Sequence, residues 1–482
     1  MNHDANDAND ADDADQPSME NEARTGGVQE STPDAAAGAA SMIQDTTPHL
    51  VPIRYLSEHV APIGGAIKAR LEDFLVEELP SYEPCSEGEH LYLFVEKRGV
   101  STLSMIRQFA RHFHVKESAV GYAGLKDKHA ITRQLVSVHL PGHAHEPFAS
   151  LDDERITVLW TAQHTNKLRR GHLAGNRFVI RLRNVEATAA LPAMKVLDML
   201  ARQGVPNRLG EQRFGALGNN HLVGRALVLG DAEGFIKEIL HPDGITFEST
   251  AQARELCAEG RWSDAVSLFP RDLRCERQLC AALGRGATPK RAVSAVPVQE
   301  RQYLVSSFQS AIFNAVLDER LKAGTLGTMH EGDIAFKHEN GSVFSICSDD
   351  EDSTDVQNRL DRIEISPAGP MWGATMKRAS GAVDEHECTI LNRFGVTPEQ
   401  FDAYSTRSRN NLPGARRPLR VPLTNHDVEG GMDEHGHYVR LAFELPRGAF
   451  ATSVMQEVMK TELLADVLGN GEQSNTGPGE TA

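Results

Sequence analysis

Apolar positions change period twice between residues 89 and 142. In EHLYLFVEKRG (89–99), Leu91, Leu93 and Val95 alternate with their neighbours, which predicts a strand. In STLSMIRQFARHF (101–113), Leu103, Ile106, Ala110 and Phe113 recur at three-four spacing behind a Ser or Thr cap, which predicts a helix. QLVSVHLPG (134–142) alternates again and stops at Pro-Gly. The segment around Asp127 is therefore a loop or short strand feeding a strand. NRFVIRLRNV (176–185) is the clearest strand: Phe178, Ile180 and Leu182 share one face, and Arg177, Val179, Arg181 and Arg183 the other. HYVRLAFELPRG (437–448) is a similar late strand, with Val439, Leu441, Phe443 and Leu445 on one side. It runs into AFATSVMQEVMKTELL, where Ser453 and Gln456 fit a capping box.

Residues 206–425 change character. They open with the Gly-rich PNRLGEQRFGALGNNHLVGRAL and contain a strong helix, 298–324. Its apolar face is Leu304, Phe308, Ile312 and Val316, and Gly324 is its stop. If strands 176–185 and 437–448 share a sheet, this block is an inserted second domain. No repeat at solenoid periods is present.

Composition sets the frame. A chain of 482 residues holds roughly two to four domains. An apolar fraction of 40% is enough for real cores. Apolar runs stay short of a membrane span, and the acidic N-terminus lacks the order of a signal peptide, so a cytoplasmic protein is expected. Residues 1–48 and the tail after about 467 are poor in large apolar residues and are expected to be disordered.

The net charge of −17 is unevenly spread. Residues 1–50 carry eleven acids and one Arg, and 465–482 carry three acids and no base. SDDEDSTD (348–355) adds five acids. The rest is close to neutral, with basic clusters at NKLRRGHLAGNR (166–177) and ARRPLR (415–420). Whole-chain acidity therefore does not exclude RNA.

The six cysteines (85, 257, 275, 280, 347 and 388) form no C-x-x-C pair and read as buried small apolar residues rather than disulfides or a zinc site. His139, His143 and His145, like His386 and Cys388, read as solvated surface rather than metal ligands. Phosphate-loop, zincin, nucleophile-elbow and dinucleotide fingerprints are all missing.

What remains is GYAGLKDKHAITRQ (121–134), with Asp127 between Lys126 and Lys128. Adjacent residues on an extended chain point to opposite sides, so neither lysine need touch Asp127. A surface turn with exposed ion pairs is one reading. The other is a carboxylate kept ionised by a nearby cation and able to act as a nucleophile. Phe74, Phe178 and Phe450 are either core or a platform for a flipped base.

AGLKDKHAITRQ (123–134) resembles the signature A-G-x-K-D-[KR]-x-A-x-T-x-Q of the TruD family of tRNA pseudouridine synthases. IKARLEDFLVEE (67–78) is similar to the family's K-x-x-P-E-D-F-x-V-x-E, with Leu71 where proline is usual. KLRRGHLAGNRFVIRLR (167–183) resembles K-x-R-x-G-x-x-x-G-N-x-F. VPNRLGEQRFG (205–215) resembles P-N-Y-F-G-x-Q-R-F-G, with Arg208 and Leu209 replacing the aromatic pair. GPMWG, GARRPL and LPRGAFATSVMQEVM complete the set, which covers about 50–465.

The resemblance implies that Asp127 is the catalytic aspartate and Lys68 its paired cation. Phe178 would stack on the flipped uracil, Asn176 would bond near the base or the carboxylate, and Phe74 and Phe450 would wall the pocket. Gln134 and Thr132 would hold the catalytic loop, and Arg213 would contact RNA or brace the domain junction. Lys126 and Lys128 would contact phosphates or solvate the loop. The implied fold is mixed α/β: a pseudouridine-synthase-type catalytic domain with a mixed antiparallel sheet (50–204 and 426–465) and an inserted family-specific α/β domain (205–425). The implied reaction converts a uridine of tRNA, at position 13 in the dihydrouridine arm, to pseudouridine. It needs no cofactor and no metal, and the enzyme is expected to be a monomer away from membranes. Three rivals stand beside it: the same chemistry on another RNA, an RNA-binding protein without catalysis, and a metal-dependent hydrolase built on the His clusters.

Overall fold

The computed structural model describes residues 53–142, 153–241, 247–351, 353–408 and 412–461. Both expected tails, His143 and His145 lie outside them. The chain first lays down β1 (Phe74–Pro80), β2 (His90–Arg98), β3 (Val120–Tyr122), β4 (Ile131–His139), β5 (Ile156–His164) and β6 (Leu173–Arg183). It then makes a long excursion. β7 (Val205–Pro206) leads out, and β8 (Ile334–Lys337), β9 (Val343–Ser345), β10 (Ile365–Met371) and β11 (Ala415–Pro418) form a four-stranded sheet. β12 (Arg420–Val421) pairs with β7 where the chain returns. β13 (Thr424–Asp433) and β14 (Gly436–Pro446) then rejoin the first six strands in one eight-stranded mixed sheet, ordered β13-β14-β6-β1-β4-β2-β5 with β3 beside β4. β14 pairs antiparallel with β6, so the two strands of clearest alternation are neighbours in space.

Alternation decides which side of this sheet is buried. Phe74 and Val76 of β1, Phe178, Ile180 and Leu182 of β6, and Val439, Leu441 and Phe443 of β14 point one way. They form one core with helix Ala190–Gln203 and the C-terminal helix Ala451–Met459. Leu93 and Val95 of β2 and Val136 and Val138 of β4 form a second core with helix Thr102–His112. That helix begins as its sequence predicts, with Ser101 Oγ accepting from Ser104 N–H at 3.1 Å. Its buried face is broader than expected and adds Met105 and Phe109.

Within the excursion, helices gather around the long helix Val298–Lys322. The expected apolar stripe is buried, but so is nearly every other residue from Leu304 to Asp318. Helices pack on one side of it and β10 and Leu419 on the other, and a helix covered all round shows a weak stripe.

Two further expectations are corrected. The C-terminal helix has no Ser453–Gln456 capping box, because its N-cap is Phe450 and it starts at Ala451. Ser453 already lies inside the first turn, where its hydroxyl donates to the buried Arg208 carbonyl (3.2 Å). Nor are all cysteines buried: Cys85 and Cys347 are exposed. Among the described residues, all six are free.

Arg208, one of the departures from the family signature, is buried and binds Asp318 of the long helix through both carboxylate oxygens. Removing one member of such a pair strands the other's charge. Arg208→Met should therefore cost about 3–5 kcal/mol in chemical denaturation, whereas the double change with Asp318→Leu should recover about half of that or more. A double variant no more stable than Arg208→Met would contradict this account.

Candidate active site

Between the two cores the sheet face turns polar. Glu78 follows Phe74 and Val76 on the same face of β1, and Asn176 stands opposite it on β6. Lys97 follows Leu93 and Val95 on β2 and pairs with Thr132 of β4, while Val95 pairs with Gln134. Glu78, Lys97, Thr132 and Gln134 are all buried. Burying such groups is costly without partners. The loop 123–130 supplies a partner each to Glu78, Lys97 and Gln134.

The geometry begins with an interrupted strand edge. β1 pairs with β4 over Ile131–Arg133, and β3 pairs over Val136–Val138 of the same strand. Between those stretches the Leu135 N–H is met by Glu78 Oε1 at 3.2 Å. The loop crosses this gap. Gln134 Nε2 donates to the Gly124 carbonyl (3.4 Å), and Thr102 Oγ1 accepts from the Lys126 N–H (2.9 Å). Glycine is required beside it: a Cβ at Gly121 would collide with the Leu168 carbonyl.

Successive loop residues then face opposite ways. Lys126 turns inward, its side chain 6% exposed, and its Nζ donates to Asn176 Oδ1 (2.7 Å) and lies 2.8 Å from Glu78 Oε2. Asp127 turns outward. Its Oδ2 accepts from Lys68 Nζ, and its Oδ1 accepts from the His129 N–H at 2.9 Å. Lys97 Nζ donates to the Asp127 backbone carbonyl (2.8 Å) and to the Val100 carbonyl (2.6 Å). Lys68 has φ 56°, a left-handed backbone unusual for a non-glycine residue. Its Nζ sits 4.8 Å from the centre of the Phe74 ring. The Asp127 and Lys68 side chains remain 33% and 23% exposed, so a solute can reach the pair.

Charges follow from this packing. Burial pushes the Asp127 carboxyl up, but the Lys68 ammonium and the His129 N–H outweigh it and hold it below the ordinary aspartate value. Asp127 is thus ionised at neutral pH. Burial pushes the Glu78 carboxyl up more than Lys126 lowers it. Burial also pushes Lys97 down to about 8, against the attraction of Asp127.

Of the residues singled out from the sequence, Lys68, Asp127 and Phe74 meet directly. Asn176 joins them through Lys126. Phe178 lies two residues along β6, buried at 7% exposure, with its ring 5.6 Å from Phe443. It belongs to the core row and ends beside the polar seam. Phe450 stands apart at the start of the C-terminal helix, 45% exposed. Gln134 ties down the loop, whereas the buried Thr132 hydroxyl has no hydrogen-bond partner among the described residues. Lys126 is not a solvated loop lysine; the buried Glu78 carboxylate draws it inward.

Glu78 and Lys97 were not among the residues that the sequence singled out. Their signal was a charged residue in phase with an apolar strand face: Phe74, Val76, Glu78 and Leu93, Val95, Lys97. Among the described residues, no three His, Cys, Asp or Glu side chains gather as a metal site. No helix there is long and apolar enough to cross a membrane.

The sequence profile of the tRNA pseudouridine synthase D (TruD) family matches residues 51–458. The chain is 41% identical over 413 residues to a tRNA pseudouridine synthase D of Syntrophotalea carbinolica, covering 85% of this chain and 99% of that protein. It is 35% identical over 411 residues to one from Thermus thermophilus, covering 85% and 93%. Its fold is similar to the crystal structure of a putative tRNA pseudouridine synthase D from Methanosarcina mazei, with a TM-score of 0.75 and 28% identity over 86% of this chain and 97% of that one. With the profile spanning both ends of the main sheet and the loop that carries Asp127, the chain belongs to the TruD family of tRNA pseudouridine synthases.

Proposed function

We propose that this protein converts uridine 13, in the dihydrouridine arm of tRNA, to pseudouridine, with Asp127 as its catalytic group and Lys68 as the counter-ion. The observation that carries this reading is a partly exposed, ionised carboxylate fixed at three points: its two oxygens and its own carbonyl. Breaking the glycosidic bond, turning the base and rejoining it through C5 moves no electrons to an external acceptor. A fixed carboxylate suffices as nucleophile or base. The position in tRNA rests on the family resemblance.

Several features support this assignment. Lys126 engages Asn176 Oδ1, which leaves the Asn176 amide NH2 to donate toward a base or its sugar. Phe178 stands at the end of the core row beside the polar seam, and Phe450 is exposed. Duplex RNA hides its base atoms, so the enzyme binds backbone and shape and draws the target out of the stack. The catalytic domain takes residues 50–204 and 426–465, and the inserted domain 205–425. The β6–β14 pairing and the β7–β12 pairing at the excursion's neck support that division.

The test is tritium release from tRNA transcribed with 5-tritiated uridine. Wild type should release tritium, and mapping should place the product at position 13. Asp127→Asn should retain tRNA binding and lose about three orders of magnitude or more in kcat. Release at the wild-type rate by Asp127→Asn would remove Asp127 from the chemistry.

Lys68 gives a second test with a definite sign. In wild type the Asp127 carboxylate persists until the pH falls below the ordinary aspartate range. In Lys68→Met the burial effect loses its main opponent, so the acidic limb of kcat/KM against pH should move up. Activity would then fall as pH drops through this higher value. An unmoved limb would separate Lys68 from the ionisation of Asp127.

A further inference from the structure

Among the described residues, four of the five buried arginines are paired with acids, whereas the buried Arg420 and the half-buried Arg417 donate to neutral groups. Arg183 binds Asp73 and Asp433, and Arg208 binds Asp318. Arg254 lies 4.0 Å from Glu276. Arg416 grips both oxygens of Glu387, at 2.6 and 2.9 Å. Arg420 donates to the Gln203 and Leu360 carbonyls and feels the charge of Asp361. Arg417, adjacent to Arg416 on β11 and so facing the other way, has neutral partners: Asn207 Oδ1 at 2.6 Å and the Gly448 carbonyl at 3.3 Å. Its Nε is buried without a hydrogen-bond partner among the described residues.

Burial pushes Arg417 down to about 10, and the neighbouring charge that acts on it has the same sign, Arg213. The two arginines stack on rings carried by one helix. Arg213 lies over the Tyr303 ring at 5.8 Å and Arg417 over the Phe313 ring at 5.7 Å, both on Val298–Lys322. Among the described residues Arg213 has no carboxylate within ion-pair distance. Both side chains are half-buried and still reach the surface.

Main-chain contacts connect this place to Asp127. Gly448 follows Arg447, whose N–H donates to the Ala174 carbonyl (3.1 Å) and whose Nη1 donates to the Gly171 carbonyl (3.2 Å). The Gly171 N–H in turn donates to the carbonyl of Ala123, where the Asp127 loop begins (2.8 Å). Arg447 and Phe450 are exposed on the same turn. A guanidinium fork without an acid matches a phosphate, which accepts two parallel hydrogen bonds and neutralises the charge.

The structure assigns Arg213 and Arg417, with Arg447 at the rim, as a track for the phosphodiester backbone of the substrate RNA beside the flipped nucleotide. This assignment rests on the tRNA reading above but not on the role of Asp127. The bland alternative is that Arg417 braces the 446–450 turn through Asn207 and Gly448, a task in which its charge is irrelevant.

The experiment is equilibrium binding of an unmodified tRNA transcript across a salt series. The proteins are wild type, Arg213→Gln, Arg417→Gln, Arg417→Lys and the control Arg362→Gln, each checked by thermal melting. Arg213→Gln and Arg417→Gln should each remove about 0.7–0.9 from the slope of log affinity against log salt. Across a fourfold rise in salt, that shrinks the loss of affinity about threefold. Arg417→Lys keeps its charge and should keep the wild-type slope, as should Arg362→Gln, whose side chain is 69% exposed and paired with Glu364. Wild-type slopes in both glutamine variants would overturn the assignment. So would weaker binding at every salt with an unchanged slope, which marks a bracing role. Turnover is not read, so failure of the Asp127 assignment would leave this result standing.

Discussion

The candidate site depends on one interruption in strand pairing. β4 exchanges β1 for β3 along the same edge, and at Leu135 neither supplies an acceptor. Glu78 does, from its side chain. That places a carboxylate inside the sheet's buried face, and the carboxylate sets the path of the loop above it. It draws Lys126 inward, Lys126 orients Asn176, and the alternation of the extended loop turns Asp127 outward. Without Glu78, the buried Lys126 would lose its counter-charge, leaving Asn176, Thr102, Gln134 and Lys97 to hold the loop.

Three lysines surround Asp127 and do different things. Lys126 anchors the loop to the sheet. Lys97 holds the Asp127 backbone carbonyl, and burial pushes its ammonium down to about 8. Lys68 alone meets the carboxylate, from a left-handed backbone and beside the Phe74 ring. Spreading the tasks separates the position of Asp127 from its ionisation. The backbone is held by Lys97 and Lys126, which do not touch the carboxylate, and the charge by Lys68 and the His129 N–H, which do.

Near its neck the excursion is held together by a buried ion pair as well as by apolar packing, and a hydroxyl from the C-terminal helix reaches it there. Arg208 and Leu209 stand where the family signature has an aromatic pair; Arg208 binds Asp318, and Leu209 pairs with Asn314 through its main chain. Ser453 of the C-terminal helix reaches the Arg208 carbonyl. The same helix therefore closes the core of the main sheet and touches the strand leading into the excursion.

Local sequence determined the strands, the helix behind Ser101 and the faces they bury, because period-two and three-four spacing are properties of short segments. It also singled out Asp127, whereas Asn176 and the grouping with Lys68 came from the family signature rather than from spacing. Only the tertiary structure decided which charges face each other. Lys68 and Asp127 lie far apart in the chain, and nothing in either segment says that they meet. The buried Glu78 and Lys97 looked like the polar ends of apolar strands until the loop covered them. The all-round burial of helix Val298–Lys322 and the neutral surroundings of Arg417 were hidden for the same reason. Periodicity reports which side of an element turns inward, whereas the value of a charge depends on what the rest of the chain brings to it.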